Sequence, residues 1–163
     1  AYLQSQKKDA YSYINLVTLH NILVLGGKAK WEKETLRGKK PHKDFLLAIK
    51  EIISTLGDIE NENSNKALST DYWENIIIPN VELCRWMLSP TTGTPKKQMP
   101  DSKSVWESYR KVWKKTGSKG QKQAEVQHLN FVVKAITILV PAHYILPALE
   151  KLLQKFIDEI GSD

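Results

Sequence analysis

A chain of 163 residues, 41% of them hydrophobic, is long enough for one domain with a proper core and short for two. Its single cysteine, Cys84, excludes an internal disulfide and favours a reducing compartment over a secreted setting. The net charge of +6 is unevenly placed: residues 28–43 carry seven basic against two acidic side chains, residues 96–122 carry nine against two, and the remainder is net acidic, the footprint of a polyanion binder.

The opening stretch "AYLQSQKKDAYSY" lacks the basic, apolar and small-residue succession of a secretory signal, so an intracellular or virion-associated protein is expected. From Tyr13 the positions Tyr13, Leu16, Val17, His20, Leu23 and Val24 repeat with helical spacing, and Gly26-Gly27 is a natural stop. Residues 28–43, broken by Gly38 and Pro41, read as an exposed basic connection. A second helix follows through Phe45, Leu46, Ile49, Ile52, Ile53 and Leu56, closed by Gly57, and the acidic "DIENENSNKALST" after it reads as a surface loop.

A third helix is predicted from Asp71, where Asp71 and Glu74 have capping-box spacing, with Trp73, Ile76, Ile77, Cys84 and Met87 on one face. Pro79 inside it predicts a kink or break, and an extended "NIIIP" is the rival reading. Residues 89–104, with three prolines, are expected to form a long mobile Pro-rich loop. A fourth helix covers about 103–115. A fifth begins at Ser118, again with capping-box spacing to Gln121, and carries Leu129, Val132, Val133, Ile136, Leu139 and Val140 up to Pro141. A sixth, with Ile145, Leu149, Leu152, Leu153, Phe156, Ile157 and Ile160, stops at Gly161.

The expectation is therefore all-α: one helical domain over 1–163, a bundle of five to six helices with a C-terminal antiparallel hairpin about Pro141. The most apolar stretch, 131–149, contains Lys134, His143 and two prolines. An ammonium in hydrocarbon costs about 2.5 to 3.5 kcal/mol on insertion scales, so no membrane span is expected.

No motif for catalysis emerges, and the chain is read as non-enzymatic, without metal or cofactor. Cys84 on an apolar stripe is a small buried hydrophobe rather than a nucleophile. His20 lies on an apolar face, as a satisfied core histidine would; His42 sits among lysines; and His128 and His143 stand 15 residues apart. "VLGGKAK" resembles the end of a phosphate-binding loop but lacks its Ser or Thr and its earlier glycine. No pair of carboxylates falls on an apolar face.

The segment "VWESYRKVWKKTGSKGQK" at 105–122 interleaves aromatics with charge. On a helical wheel it separates: Val105, Trp106, Tyr109, Val112 and Trp113 share one sector, and Lys103, Glu107, Arg110, Lys111 and Lys114 the opposite one. The aromatics are expected to pack and the charges to seek phosphate. Lys115, Lys119 and Lys122 extend the strip into the N-terminus of the next helix, whose exposed N–H groups favour an anion, and Lys96 and Lys97 add an arm before it. Lys28, Lys30, Arg37, Lys39, Lys40 and Lys43 repeat the logic in the first basic segment.

With no base-reading signature, binding should be backbone-directed, salt-dependent and poorly specific, to DNA or RNA. The reading is a structural subunit that coats or lines nucleic acid in repeated copies, with the large aromatics serving subunit contacts as well as the core. In general plan such a chain resembles the α-helical coat proteins of filamentous archaeal viruses. It is also similar in size and class to the small helical subunits of RNA-guided CRISPR effector complexes; neither resemblance carries any residue across. A helical protein–protein interaction module is the alternative of another class.

Overall fold

A computed structural model describes residues 10–30, 45–64, 67–92 and 98–162, which are predominantly helical and contain no strand. The first helix, α1 (Ala10–Leu25), has no Lys, Arg, Asp or Glu. It ends as expected at the paired glycines: Gly27 adopts φ 67°, the Lys28 N–H donates to the Leu23 carbonyl at 2.8 Å and the Gly27 N–H to that of Val24 at 3.0 Å. Its buried face differs from the predicted stripe. Tyr13, Ile14, Val17, His20, Asn21 and Ile22 are inside, while Leu16 and Leu23 are 41% and 42% exposed. A helix apolar nearly all round gives no periodic signal to tell the two faces apart.

The second helix, α2 (Phe45–Ser64), runs straight through Gly57 and into the acidic segment expected to form a loop. Ile59 is buried on the same face as Ile52 and Leu56, and Arg85 reaches Glu60 at 2.6 Å, so the core and an ion pair hold the extra turns that glycine alone would have released.

The predicted third helix is broken into two pieces. Asp71 caps the single turn α3 (Tyr72–Asn75), its carboxylate accepting from the Trp73 N–H at 2.9 Å. The break falls at Ile76, and α4 (Ile77–Met87) follows with Pro79 in its first turn, where a missing N–H costs nothing. Ser89–Thr92 forms α5 at the head of the Pro-rich segment. Residues 98–102 are tied down by the Trp86 Nε1 donating to the Pro100 carbonyl at 2.9 Å. Trp73 is not on the apolar face but 44% exposed.

The last three helices match their predicted spans closely: α6 (Lys103–Trp113), α7 (Lys119–Leu139) and α8 (Ile145–Gly161). The capping box at Ser118 and Gln121 forms in both directions.

Two cores share α4. One side of it, with Val81 and Cys84 and with Leu88 at its C-cap, meets Tyr13, Ile14 and Val17 of α1 and Ile52, Leu56 and Ile59 of α2. The other, with Leu83, Trp86 and Met87, meets Val105, Tyr109 and Val112 of α6 together with α7 and α8. Burial on both sides explains why α4 can hold a proline, an asparagine and a cysteine yet stay fixed. Asn80 accepts the Tyr109 hydroxyl, and Asn21 donates from α1 to the Met87 carbonyl at 2.9 Å.

Candidate polyanion interface

The wheel of α6 holds in three dimensions. Val105, Tyr109, Val112 and Trp113 are buried, and Trp106 is half-buried against the rings of Phe156 at 5.7 Å and Trp113 at 6.1 Å. These aromatics form one packed cluster with Phe156 of α8, and only Trp106 keeps part of its surface in water. On the opposite side Arg110, Lys111, Lys114 and Lys115 are exposed and, with Glu107, line a shallow depression on the helix surface. Lys119 is exposed and Lys122 half-exposed at the start of α7, across the turn at Gly117.

Tertiary neighbours temper this face in a way that the order of charges along the chain could not reveal. Glu159 of α8 lies 3.4 Å from the Arg110 Nε. Glu82 of α4 is half-buried; burial raises its carboxyl above the usual range, a hydrogen bond with Ser108 opposes the rise, Glu60 adds to it, and Arg85 and Lys111 oppose it. Lys103 stands 3.9 Å from Glu107. The α7 N-terminus is also less open than predicted, because the Ser118 hydroxyl accepts from the Gln121 N–H and the Gln121 side chain accepts from the Ser118 N–H.

Lys28 and Lys30 are exposed, but at the other end of α7. A Cβ on Gly26 would meet that of Leu139 at 3.2 Å, which puts the end of α1 against the last turn of α7. At 1.5 Å per residue α7 separates that end from the basic turn by about 30 Å. These two lysines therefore do not join the α6–α7 patch. Of the other predicted site residues, Arg37, Lys39, Lys40, Lys43, Lys96 and Lys97 lie outside the described residues.

The remaining reactive side chains are structural in their surroundings. Cys84 is fully enclosed, and burial pushes its thiol up to about 12 despite Thr18 and Arg85 nearby. His20 is buried with its Nε2 at 2.8 Å from the Lys30 carbonyl. Burial lowers the pKa of both His128 and His143, and His143 stacks on Tyr144 at 4.3 Å. Among the described residues no three His, Cys, Asp or Glu side chains are arranged to hold a metal, and no helix is long and apolar enough to cross a membrane.

Two residues escape a reading of the sequence for sites. Glu125 is 3% exposed, its Oε1 has no hydrogen-bond partner, and burial raises its carboxyl to about 7. Glu125 stands alone rather than in a pair of carboxylates, yet it precedes Leu129, Val132 and Ile136 at helical spacing, which places it on the buried stripe. Trp73 is the second. No property of the sequence distinguishes an exposed tryptophan from a buried one in a segment whose helix breaks three residues later.

No protein-family model, curated protein or solved structure matches this chain.

Proposed function

We propose that the protein is a non-enzymatic structural subunit that binds nucleic acid through its backbone, coating or lining DNA or RNA in repeated copies. The observation that carries this reading is the face of α6: four exposed basic side chains, Arg110, Lys111, Lys114 and Lys115, on a helix whose aromatics are all turned inward. A solvated helix back normally alternates sign, because i, i+4 pairs of opposite charge stabilise it. Here only Glu107 of the same helix interrupts the strip, and Lys119 and Lys122 continue it across the turn. Such a surface attracts phosphates by releasing their counterions and holds no groups aimed at base edges.

Repeated copies fit a second feature. The charge-free α1 leaves Leu16, Leu19 and Leu23 on its outer face, and α7 leaves Phe131 and Ile138, apolar side chains that suit contacts between subunits better than water. In this reading the body is a helical bundle whose last two helices fold back on each other about Pro141 as an antiparallel hairpin, and the protein works inside a cell or a virion.

The test is salt titration. Random duplex and single strands should bind at low salt, with log K falling linearly in log salt. Replacing Arg110, Lys111, Lys114 and Lys115 together by Gln should cut the slope by about 3, since each duplex phosphate left without its basic partner takes away about 0.9 and Arg110 is already engaged by Glu159. Absence of binding at low salt by the unmodified chain, or an unchanged slope in the variant, overturns the proposal.

A further inference from the structure

Resting on that reading, we propose that Trp73 is a stacking platform for an unpaired base, so that the α6–α7 patch makes a contact with a single strand that a duplex cannot make. The short helix α3 is docked on the basic turn by three contacts. Gly117 has φ 98°, and the Tyr72 ring lies 2.8 Å from the point where a Cβ on that glycine would stand. The Trp113 Nε1 donates to the Tyr72 hydroxyl at 3.1 Å, and the Asn75 Nδ2 to the Thr116 Oγ1 at 3.4 Å.

Trp73 is therefore one ring away from the turn that carries Lys114, Lys115, Lys119 and Lys122. Its indole meets the Tyr72 ring edge-to-face at 5.2 Å and that of Tyr11 at 6.3 Å. The Lys122 Cγ comes within 3.8 Å of the same Gly117 position that the Tyr72 ring approaches. Two ring contacts and a capped backbone orient the indole, yet 44% of the residue remains in water. An oriented, half-exposed tryptophan loses little side-chain entropy when a flat ligand covers it. Beside a basic strip it combines the two components of single-strand recognition, a charged track for the backbone and an aromatic face for a base.

The two acids nearest in sequence, Asp71 and Glu74, are exposed and repel phosphate from α3 itself. The strand is thereby directed to run along the lysines of α6 and α7 while one base reaches across to the indole. Bases in a duplex are stacked on their neighbours and cannot make that reach. Every base has a π-face, so the contact adds affinity without sequence preference.

The experiment compares Trp73→Ala and Trp73→Tyr with the unmodified chain against three probes: a single-stranded oligothymidylate, a duplex of matched length and an abasic strand of matched charge. Circular dichroism and melting of both variants confirm that α3 still docks. Trp73→Ala should weaken oligothymidylate binding about 5- to 150-fold, the range for losing one stacked base, and leave the duplex and abasic strand within about twofold. Trp73→Tyr should recover most of the loss. Equal binding of abasic strand and oligothymidylate by the unmodified chain, or an equal loss on all three probes, overturns the stacking role. If Trp73→Ala changes nothing while the α6 glutamine variant abolishes binding, stacking fails and the backbone reading survives. If the unmodified chain binds none of the probes at low salt, both fail.

Discussion

The Tyr72 ring occupies the space that a side chain on Gly117 would need, with two of its carbons 2.8 Å from the ideal Cβ position. Gly117 also adopts φ 98°, where an L side chain is strained whatever the space. The contact joins α3 to the turn between α6 and α7, so one glycine fixes both the path of the basic strip and the seat of Trp73. Gly117→Ala should destabilise the fold by about 2 to 4 kcal/mol, combining the positive-φ penalty with overpacking against a ring that Trp113 holds by a hydrogen bond. Urea unfolding with an unchanged slope is the measurement. A loss below about 0.5 kcal/mol would mean that the turn relaxes freely and does not position α3.

Glu125 makes stability depend on pH in a stated direction. It faces Tyr11 of α1, Tyr72 of α3 and Tyr109 of α6, whose phenols feel its charge and stay neutral in the range concerned. Its carboxyl is raised by burial from 4.5 to about 7, so between those values the folded state holds a proton that the unfolded chain has released. Stability on this account is highest below about 4.5, falls as pH rises to about 7, and is flat above; the full span is about 3 kcal/mol. The half-buried His128 and His143, with lowered pKa values, act in the opposite sense below their ordinary 6.5. The comparison that isolates Glu125 is therefore the difference between the unmodified chain and Glu125→Gln. The variant should match the parent near pH 4.5 and exceed it by a few kcal/mol at pH 8. A pH-independent difference would mean that the carboxyl finds a partner or water in solution.

How much of the fold is legible in the sequence depends on whether the deciding neighbour is local. The paired glycines, the Ser118–Gln121 box and the wheel of α6 are set within a turn or two of chain, and each forms as the sequence predicts. Gly57 fails as a helix stop because Ile59 and Glu60 are held by partners on α1 and α4, distant in sequence. Pro79 does mark a broken helix, but the chain breaks before it, at Ile76, which leaves the proline in a first turn where it is harmless. The candidate site divides the same way. The sign and side of the α6 strip can be read from periodicity, whereas Glu159 opposite Arg110, the separation of Lys28 and Lys30 from the patch, and the approach of Trp73 to the turn all come from helices meeting.

Trp113 tests the division of α6 into two faces. It is 4% exposed, touches the rings of Trp106, Tyr109 and Phe156, and donates to the Tyr72 hydroxyl. Trp113→Ala should cost about 3 to 5 kcal/mol of stability. Below its lowered melting temperature the variant should keep the salt slope of polyanion binding, since the lysines opposite are unchanged. A variant that stays as stable as the parent would remove Trp113 from the core; a reduced slope in a folded variant would show that the two faces are not independent.

The pairing of Arg110 with Glu159 gives the most direct handle on the basic face. The two side chains are partly exposed and their contact, at 3.4 Å, is a long one, so its share of stability is below about 1 kcal/mol. For a polyanion the same contact is a competitor: an arginine that already faces a carboxylate releases less on meeting a phosphate, and the carboxylate itself repels the backbone. Glu159→Gln should leave the melting temperature almost unchanged while tightening binding several-fold at low salt and steepening the slope of log K against log salt by about one unit. Arg110→Gln in the same background should cancel both gains, because the freed guanidinium is their source. If Glu159→Gln tightens binding but the added Arg110→Gln does not reverse it, the carboxylate acts only through the general field and Arg110 lies off the path of the strand. If Glu159→Gln leaves affinity and slope as they were, the polyanion does not approach this end of α6 at all.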